Sequence, residues 1–442
     1  MIGKIALAMI LALLFVWSLP DTEALRHLLL FSSLLLLAWL TPWRSLGAVW
    51  QANRWPLVLL GMFTAWLLVQ AIFVADDTWW SLQELKSQWL KALLAIAVGM
   101  LLARSAQAGK VVHRTGITTA MTVVLFLQAL IAVGESIAYW FSHGELLRGL
   151  VPLTGGKLEM SFILNIMLAA LTVDLLFRTC HRRRFLQLPL VAVVLAVMLG
   201  LTGLYLAEAR NGAIGAVFLA ISAGLLYCLD AYRQKGMRGA LPGVALALAV
   251  VMGLAAISYQ SDSRWLVFAE SAKMGWSIDS QRAWMDLDHS PLPVMKSGAV
   301  VDGSAYTRVA FIHAGLRLIG EYPWGVGYGR NAFSHALREA GENAHVGHAH
   351  SGWIDLGLGG GIPAMALWLL FLGSLIGLGG GRYFHRQNPH GLWLFFLASG
   401  YMGRMLLDSV NRDHMVQMFL FLAGYLLVMS MQDGPARSQA NG

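Results

Sequence analysis

Long apolar runs recur along the whole chain, at residues 5–19, 24–41, 56–75, 90–104, 117–140, 161–177, 186–207, 212–230, 240–258, 352–379, 391–408 and 414–431. A water-soluble domain cannot bury so many, so the solvent for most of this chain is lipid. In lipid every backbone N–H and C=O needs a partner within the protein. The runs are long and continuous, whereas the strands of a membrane barrel are short and alternate in polarity, so helices are required. The expected fold is all-α and integral to the membrane, with about twelve transmembrane helices. Only 13% of the 442 residues are charged, and the net charge of +8 reads as a topology signal rather than a nucleic-acid footprint.

With a cytoplasmic N-terminus, sixteen basic residues fall on the cytoplasmic termini, loops and helix ends, from Lys4 and Arg44 through Arg182, Arg183 and Arg184 to Arg437. The opposite side holds eight: Arg26, Lys86, Lys91, Arg148, Lys157, Arg210, Arg404 and Arg412. Positive residues collect on the cytoplasmic side, so both termini are expected there, in a multi-pass protein of a bacterial inner membrane. Cys180 and Cys228 then lie on the reducing side and imply no disulfide. The apolar N-terminus lacks the strong basic region of a signal peptide and reads as a retained helix.

This organisation divides the chain into residues 1–258 with nine spans, a periplasmic loop at 259–351, three further spans at 352–431, and a disordered cytoplasmic tail at 432–442. The loop begins with an irregular part, 260–301, containing Asp262, Asp279, Asp286, Asp288, Pro291 and Pro293. A helix follows over 306–319, where Val309, Ile312, Leu316 and Ile319 recur at helical spacing. A turn built from Pro323, Gly325, Gly327 and Gly329 leads into an amphipathic stretch at 331–340.

Arg210 stands in a short connection between two apolar runs, at or just below the periplasmic surface. Two readings stand: an arginine that snorkels or pairs with Glu208, and an anion site for a phosphate or lipid headgroup. Arg308, on the loop helix, is either a solvated cation or a second phosphate contact. His345, His348 and His350 invite a metal reading, but no cysteine is near and spacings of three and two do not match the usual paired ligands of a helix. A neutral imidazole that removes a proton from a sugar hydroxyl is the sharper reading, with boundary histidines of no special role the bland one. Arg404 and Arg412 alternate with Asp408 and Asp413, a pattern in which charges usually satisfy one another, although Arg412 also has the reach to meet a pyrophosphate. Trp79 and Trp80 read as an interfacial aromatic belt.

Three stretches resemble the O-antigen ligase family, which is grouped with O-antigen polymerases and pilin oligosaccharyltransferases. Ala209-Arg210-Asn211-Gly212-Ala213 is like the Ser-Arg-Gly segment that opens a span in that family. Arg308 followed by Pro323-Trp324-Gly325-Val326-Gly327-Tyr328-Gly329 is like its arginine and Gly-x-Gly-x-Gly turn. His350-Ser351-Gly352-Trp353-Ile354, with Gly361 eleven residues on, is like its His-Asn-x-aromatic-Leu stretch. Ser351 departs from the usual asparagine, and Gly359 stands where a glutamate often sits. The resemblance implies a membrane glycosyltransferase of GT-C-like architecture that moves a polysaccharide from undecaprenyl pyrophosphate to lipid A-core in the periplasm. It implies an inverting reaction with no metal and no cofactor, with these lipid-linked substrates and membrane lipids as partners and no nucleic acid. It gives Arg210, Arg308 and His350 the catalytic roles, with Arg412, His348 and Tyr328 as further substrate contacts.

An O-antigen polymerase is the nearest rival, but its Arg-x10-Gly pattern fails twice here, with Ile221 and Ile319 at the glycine positions. A protein O-oligosaccharyltransferase would be expected to have a longer C-terminal half. A transporter or flippase would place charges deep in several spans, and Glu135 and Asp174 are the few candidates, both near span ends.

Overall fold

The computed structural model describes residues 1–111, 114–149, 153–261, 264–287 and 289–432. Asp262, Asp288 and the tail after Gln432 lie outside them. The described residues form helices joined by turns and irregular connections, with one isolated antiparallel bridge between Val294 and Val300 and no β-strand among them.

Each apolar run of the sequence falls on a helix. In order these are α1 (Ile2–Val16), α2 (Glu23–Leu40), α3 (Leu46–Phe73), then α4 (Thr78–Glu84) joined through a π turn at Leu85–Trp89 to α5 (Leu90–Gln107). They continue as α6 (Arg114–His143), α7 (Lys157–Cys180), α8 (Leu190–Leu206), α9 (Arg210–Lys235) and α10 (Met237–Ser261). After the loop come α14 (Gly352–Arg386), α15 (Pro389–Arg404) and α16 (Asp413–Met429). Seven helical segments among the described residues are long and apolar enough to cross a bilayer: Glu23–Leu40, Trp43–Phe73, Thr78–Gln107, Gly116–His143, Lys157–Cys180, Arg210–Arg233 and Gly352–Arg386. Ile2–Val16, Leu190–Leu206 and Asp413–Met429 are shorter and apolar.

Helix α16 is the axis of the bundle, buried from Met415 to Met429. It is apolar all round because it is covered all round. It meets α5 across two glycines: a Cβ on Gly99 would fall 2.0 Å from the Phe421 carbonyl oxygen, and one on Gly424 2.3 Å from that of Ile96. Small residues at such crossings let backbones approach, which is how helices associate where lipid removes the hydrophobic drive. The consequence for the site is positional, since Arg412 and Asp413 sit at the fixed end of the best-packed helix. Asp174 on α7 is fully buried, pairs with Arg178 and accepts the Phe185 and Leu186 amides, both at 2.8 Å. Its charge folds the 181–188 turn, so it is a structural carboxylate of the kind a buried charge requires.

The long loop folds as a cap with its own core, in which Trp284, Tyr306, Phe311, Phe333 and Leu337 pack on Ile354 and Leu358 of α14. The segment read as irregular contains α11 (Arg264–Trp276), which packs on α12 (Gly303–Glu321) where Gly275 touches the Tyr306 backbone. The expected stripe on α12 is only partly inward: Ile319 is buried, but the main buried face is rotated from it. Ala310, Phe311, Ala314 and Leu318 are buried, whereas Leu316 is 51% exposed. The amphipathic stretch is α13 (Ala332–Glu339). Trp79 is exposed, but Trp80 is no free belt residue, because its ring stacks on His335 of α13 at 3.8 Å.

Candidate active site

The glycine turn locks the cap to the membrane bundle. Gly361, at φ +74°, interrupts α14, and the 323–327 turn fills the gap. Val326 N donates to Leu358 O at 2.8 Å, Gly327 N to Gly359 O at 3.1 Å, and Ile362 N to Pro323 O at 2.8 Å. A Cβ on Gly325 would lie 2.5 Å from Gly361 N, so only glycine permits this approach. Gly359 is part of the same backbone crossing, where a Cβ would lie 3.4 Å from Ala332 Cβ, Gly327 O and Tyr328 Cα.

Just before α14, residues 348–352 are strung against the 404–412 corner. Gly352 N donates to Asp408 O at 3.0 Å, and the Ser351 hydroxyl donates to Met405 O at 3.1 Å, so serine serves as an anchor where asparagine is usual. Asp355, in the first turn of α14, accepts Ala349 N at 2.8 Å and the Ser409 hydroxyl at 2.5 Å. The sequence reading missed this buried carboxylate. A carboxylate one turn into an apolar helix, five residues after a histidine, was the available signal.

The anchors deliver the two histidines differently. An Arg412 Nη2–H donates to His348 Nε2 at 3.1 Å. Arginine only donates, so that nitrogen must accept, and His348 is neutral with its lone pair held. Burial, then Arg412, then His350 push its pKa down to about 3. The His350 ring lies 4.3 Å from that of His348 and parallel to Phe311. Its Nδ1 is buried with no hydrogen-bond partner, and its backbone holds φ +51°, in the left-handed region that few non-glycine residues adopt. Burial is the main cause that lowers its pKa, followed by the charges of Arg308 and Arg412, with Asp408 opposing. His345 does not join them. It sits with Asp286 and His289, its Nδ1 3.2 Å from the Asp286 carboxylate.

Arg308 lies on α12, where its charge is felt by His350. Arg210 opens α9, and its Nη1 donates at 3.1 Å to Asp302, which also caps α12 by accepting Ser304 N. Asp302 is thus a carboxylate partner of this arginine, and it ties Arg210 to the helix that carries Arg308. Asn211 adds a bond to Leu407 O at 3.0 Å, linking the start of α9 to the same corner. Three non-glycine residues near the site, Glu208, His350 and Asp413, share positive φ. Such strain concentrates where neighbours over-determine a functional geometry.

The remaining sequence candidates form the floor. Arg404 is buried on Asp408, Ser161 and Leu158 O, a structural pair rather than a free cation. Tyr328 is buried beside Trp89 and Trp368, and burial raises its pKa, so it stays a neutral phenol. Next to it, Arg330 holds Glu84 with both Nε and Nη2 and also reaches Asp413, a cation that the sequence reading did not select. Arg330, Asp355, Asn411 and Arg412 line a small pocket.

Below the corner, an open apolar cleft of about 590 Å³ runs between α7, α9 and α15, lined by Phe162, Ile166, Phe218 and Phe396. Arg404 Nη1 and Asn165 Oδ1 are buried at its wall without hydrogen-bond partners. A family model described as O-antigen ligase matches residues 195–369, the stretch that carries Arg210, Arg308, the glycine turn and His350. The chain carries the domain of the O-antigen ligase family. A search of curated proteins finds no match to it. The O-antigen ligase match covers the cap and α14 through its interruption at Gly361, and stops short of Arg412. The match supports an O-antigen ligase or polymerase type of domain, whose relatives are glycosyltransferase-like, for this stretch of the chain.

Proposed function

We propose that this protein is an O-antigen ligase, which transfers a polysaccharide from undecaprenyl pyrophosphate to a sugar hydroxyl of lipid A-core at the periplasmic face of the inner membrane. One observation carries the reading: His350 presents a buried nitrogen with no protein partner inside a set of arginines, whereas the lone pair of His348 is already held by Arg412. A base and a cation cluster in one place are what glycosyl transfer from a pyrophosphate needs.

In the proposed reaction His350 takes the proton of the acceptor hydroxyl, and that oxygen attacks the anomeric carbon. The bond from that carbon to the phosphate oxygen breaks, and its electron pair leaves with undecaprenyl pyrophosphate. A single displacement inverts the anomeric configuration. Charge grows on the leaving group, so Arg308 and Arg210 stabilise the transition state more than the ground state, and no acid has to protonate it. Arg412 orients His348 and adds to the field. The apolar cleft has the size and character to take a prenyl chain, with Arg404 and Asn165 near its polar end. Twelve crossings with both termini cytoplasmic, the arrangement the charge asymmetry favours, put this site in the periplasm.

The field also tunes the base. In the empty site the arginines and burial keep His350 neutral but weakly basic. A bound pyrophosphate offsets their charge and raises its proton affinity when the acceptor is deprotonated. The test is to incubate purified protein with undecaprenyl-pyrophosphate glycan and either lipid A-core or a second lipid-linked glycan. Joining to lipid A-core supports the ligase, chain extension on the second glycan indicates a polymerase, and transfer to neither refutes both.

A further inference from the structure

Away from the arginines, on the solvent side of the cap, Asp286, His289 and His345 bring one carboxylate oxygen and two imidazole nitrogens within 4.8 Å of one another. Two of the separations are shorter, with His289 Nδ1 2.9 Å and His345 Nδ1 3.2 Å from Asp286 oxygens. From metal–ligand distances of about 2.0–2.2 Å, a tetrahedral zinc ion holds its donors about 3.3–3.6 Å apart. The pairs on Asp286 are already near that spacing. We propose that these three residues form a divalent transition-metal site of the zinc class, which clamps the segment before the catalytic histidines to the rest of the cap. The site is separate from glycosyl transfer and does not depend on that reading. It departs from the sequence expectation of no metal, which weighed His345 with His348 and His350 and not with Asp286.

The ligands come from two segments whose backbones are already joined. His345 N donates to Met285 O at 2.7 Å, and Arg282 pairs with Glu342 across the same seam. Asp286 and His289 are three apart in a turn closed by Ser290 N on Asp286 O at 2.8 Å, which aims both at one point. Two neutral imidazoles and one carboxylate suit zinc, nickel or copper better than calcium or magnesium, which prefer all-oxygen sets. The His289 and His345 side chains are 74% and 57% exposed, so an ion reaches them from solvent and water completes its coordination. His345 lies three residues before His348. An ion here therefore tethers the strand of chain that leads into the reaction centre.

The test uses tag-free, full-length protein in detergent, stripped with chelator, desalted and titrated with zinc chloride by calorimetry. One Zn²⁺ should bind per chain. His289→Ala and His345→Ala should each weaken binding by more than about 10-fold, the lower end of what even outer-shell losses cost. His348→Ala should bind as the parent does. Zinc should also raise the unfolding temperature of the parent and not of His289→Ala. As a second readout that needs no variant, Co²⁺ should give the visible absorption of a low-coordinate nitrogen–oxygen site. No bound zinc in the parent, unchanged affinity in both alanine variants, or loss of binding with His348→Ala would each overturn the proposal.

Discussion

Replacing Gly325 by alanine tests how the cap is held over the site. Its φ of +81° costs an L-residue about 1–2 kcal/mol, and its Cβ would fall 2.5 Å from Gly361 N and 2.7 Å from Gly359 O. Those are backbone atoms and cannot rotate away. The turn has to lift, and the Val326–Leu358 and Gly327–Gly359 hydrogen bonds lengthen together, at about 1 kcal/mol each. The expected loss is therefore about 3–4 kcal/mol. Gly341 supplies the control: its φ of +77° is nearly the same, but a Cβ there meets nothing within 4 Å, so Gly341→Ala should lose only the conformational part. Equilibrium unfolding of both variants in mixed detergent–SDS micelles gives the difference directly. Equal stability losses in the two variants would show that the glycine turn does not lock the cap through this backbone contact.

An impermeant thiol reagent added to spheroplasts should label Ser297→Cys in the cap, whereas Cys180 should react only after permeabilisation; the reverse pattern would invert the orientation. With the folded pKa of His350 below its usual value, the neutral base persists on acidification, so the acid limb of kcat/KM should fall below about pH 6.5. The limb of kcat should lie at higher pH, because bound pyrophosphate offsets the arginine charges; coincident limbs would argue against that coupling. The depressed pKa values of His348 and His350 also favour the neutral, folded form, so stability is complete above about pH 6.5 and lost as pH falls below it. A melting temperature that rose on acidification through that range would contradict this sign. Strong chelators should leave the single-turnover rate at saturating substrates unchanged, since the proposed displacement uses no metal, and a loss restored by one divalent ion would refute that.

The membrane helices were legible because burial in lipid demands long apolar runs, and the runs at 56–75 and 414–431 announce α3 and α16 with no tertiary information. Their ends were less so. The run at 90–104 gave no hint that α5 continues back through a π turn to Thr78, because the earlier residues are polar and packed under the cap. The loop helix α12 was foreseen but its face was not, since Ile312 and Leu316 are apolar without being inward. Helix α11 was missed although Val267, Ser271 and Met274 follow a helical face, because the nearby aspartates and prolines weighed more. At the site, chemistry-bearing residue types stood out individually, while the pairs that decide their roles did not. Asp302 is 92 residues from Arg210 and Glu84 is 246 from Arg330. Periodicity cannot reveal such partners, and neither could it reveal that Arg412 occupies the lone pair of His348 while His350 Nδ1 is buried without a partner.

The most direct test of the division of labour is donor affinity and single-turnover rate in His350→Ala beside Arg308→Ala and Arg308→Lys, each first confirmed to fold in detergent. His350→Ala should bind the undecaprenyl-pyrophosphate donor nearly as well as the parent and transfer about 10²–10⁴-fold more slowly, the usual reach of a general base. Arg308→Ala should lose both affinity and rate, and lysine at that position should recover only part, because it keeps the charge and loses the planar fork. If His350→Ala abolished donor binding and kept the chemical rate, the histidine would belong to the pyrophosphate clamp and the proposed mechanism would be wrong.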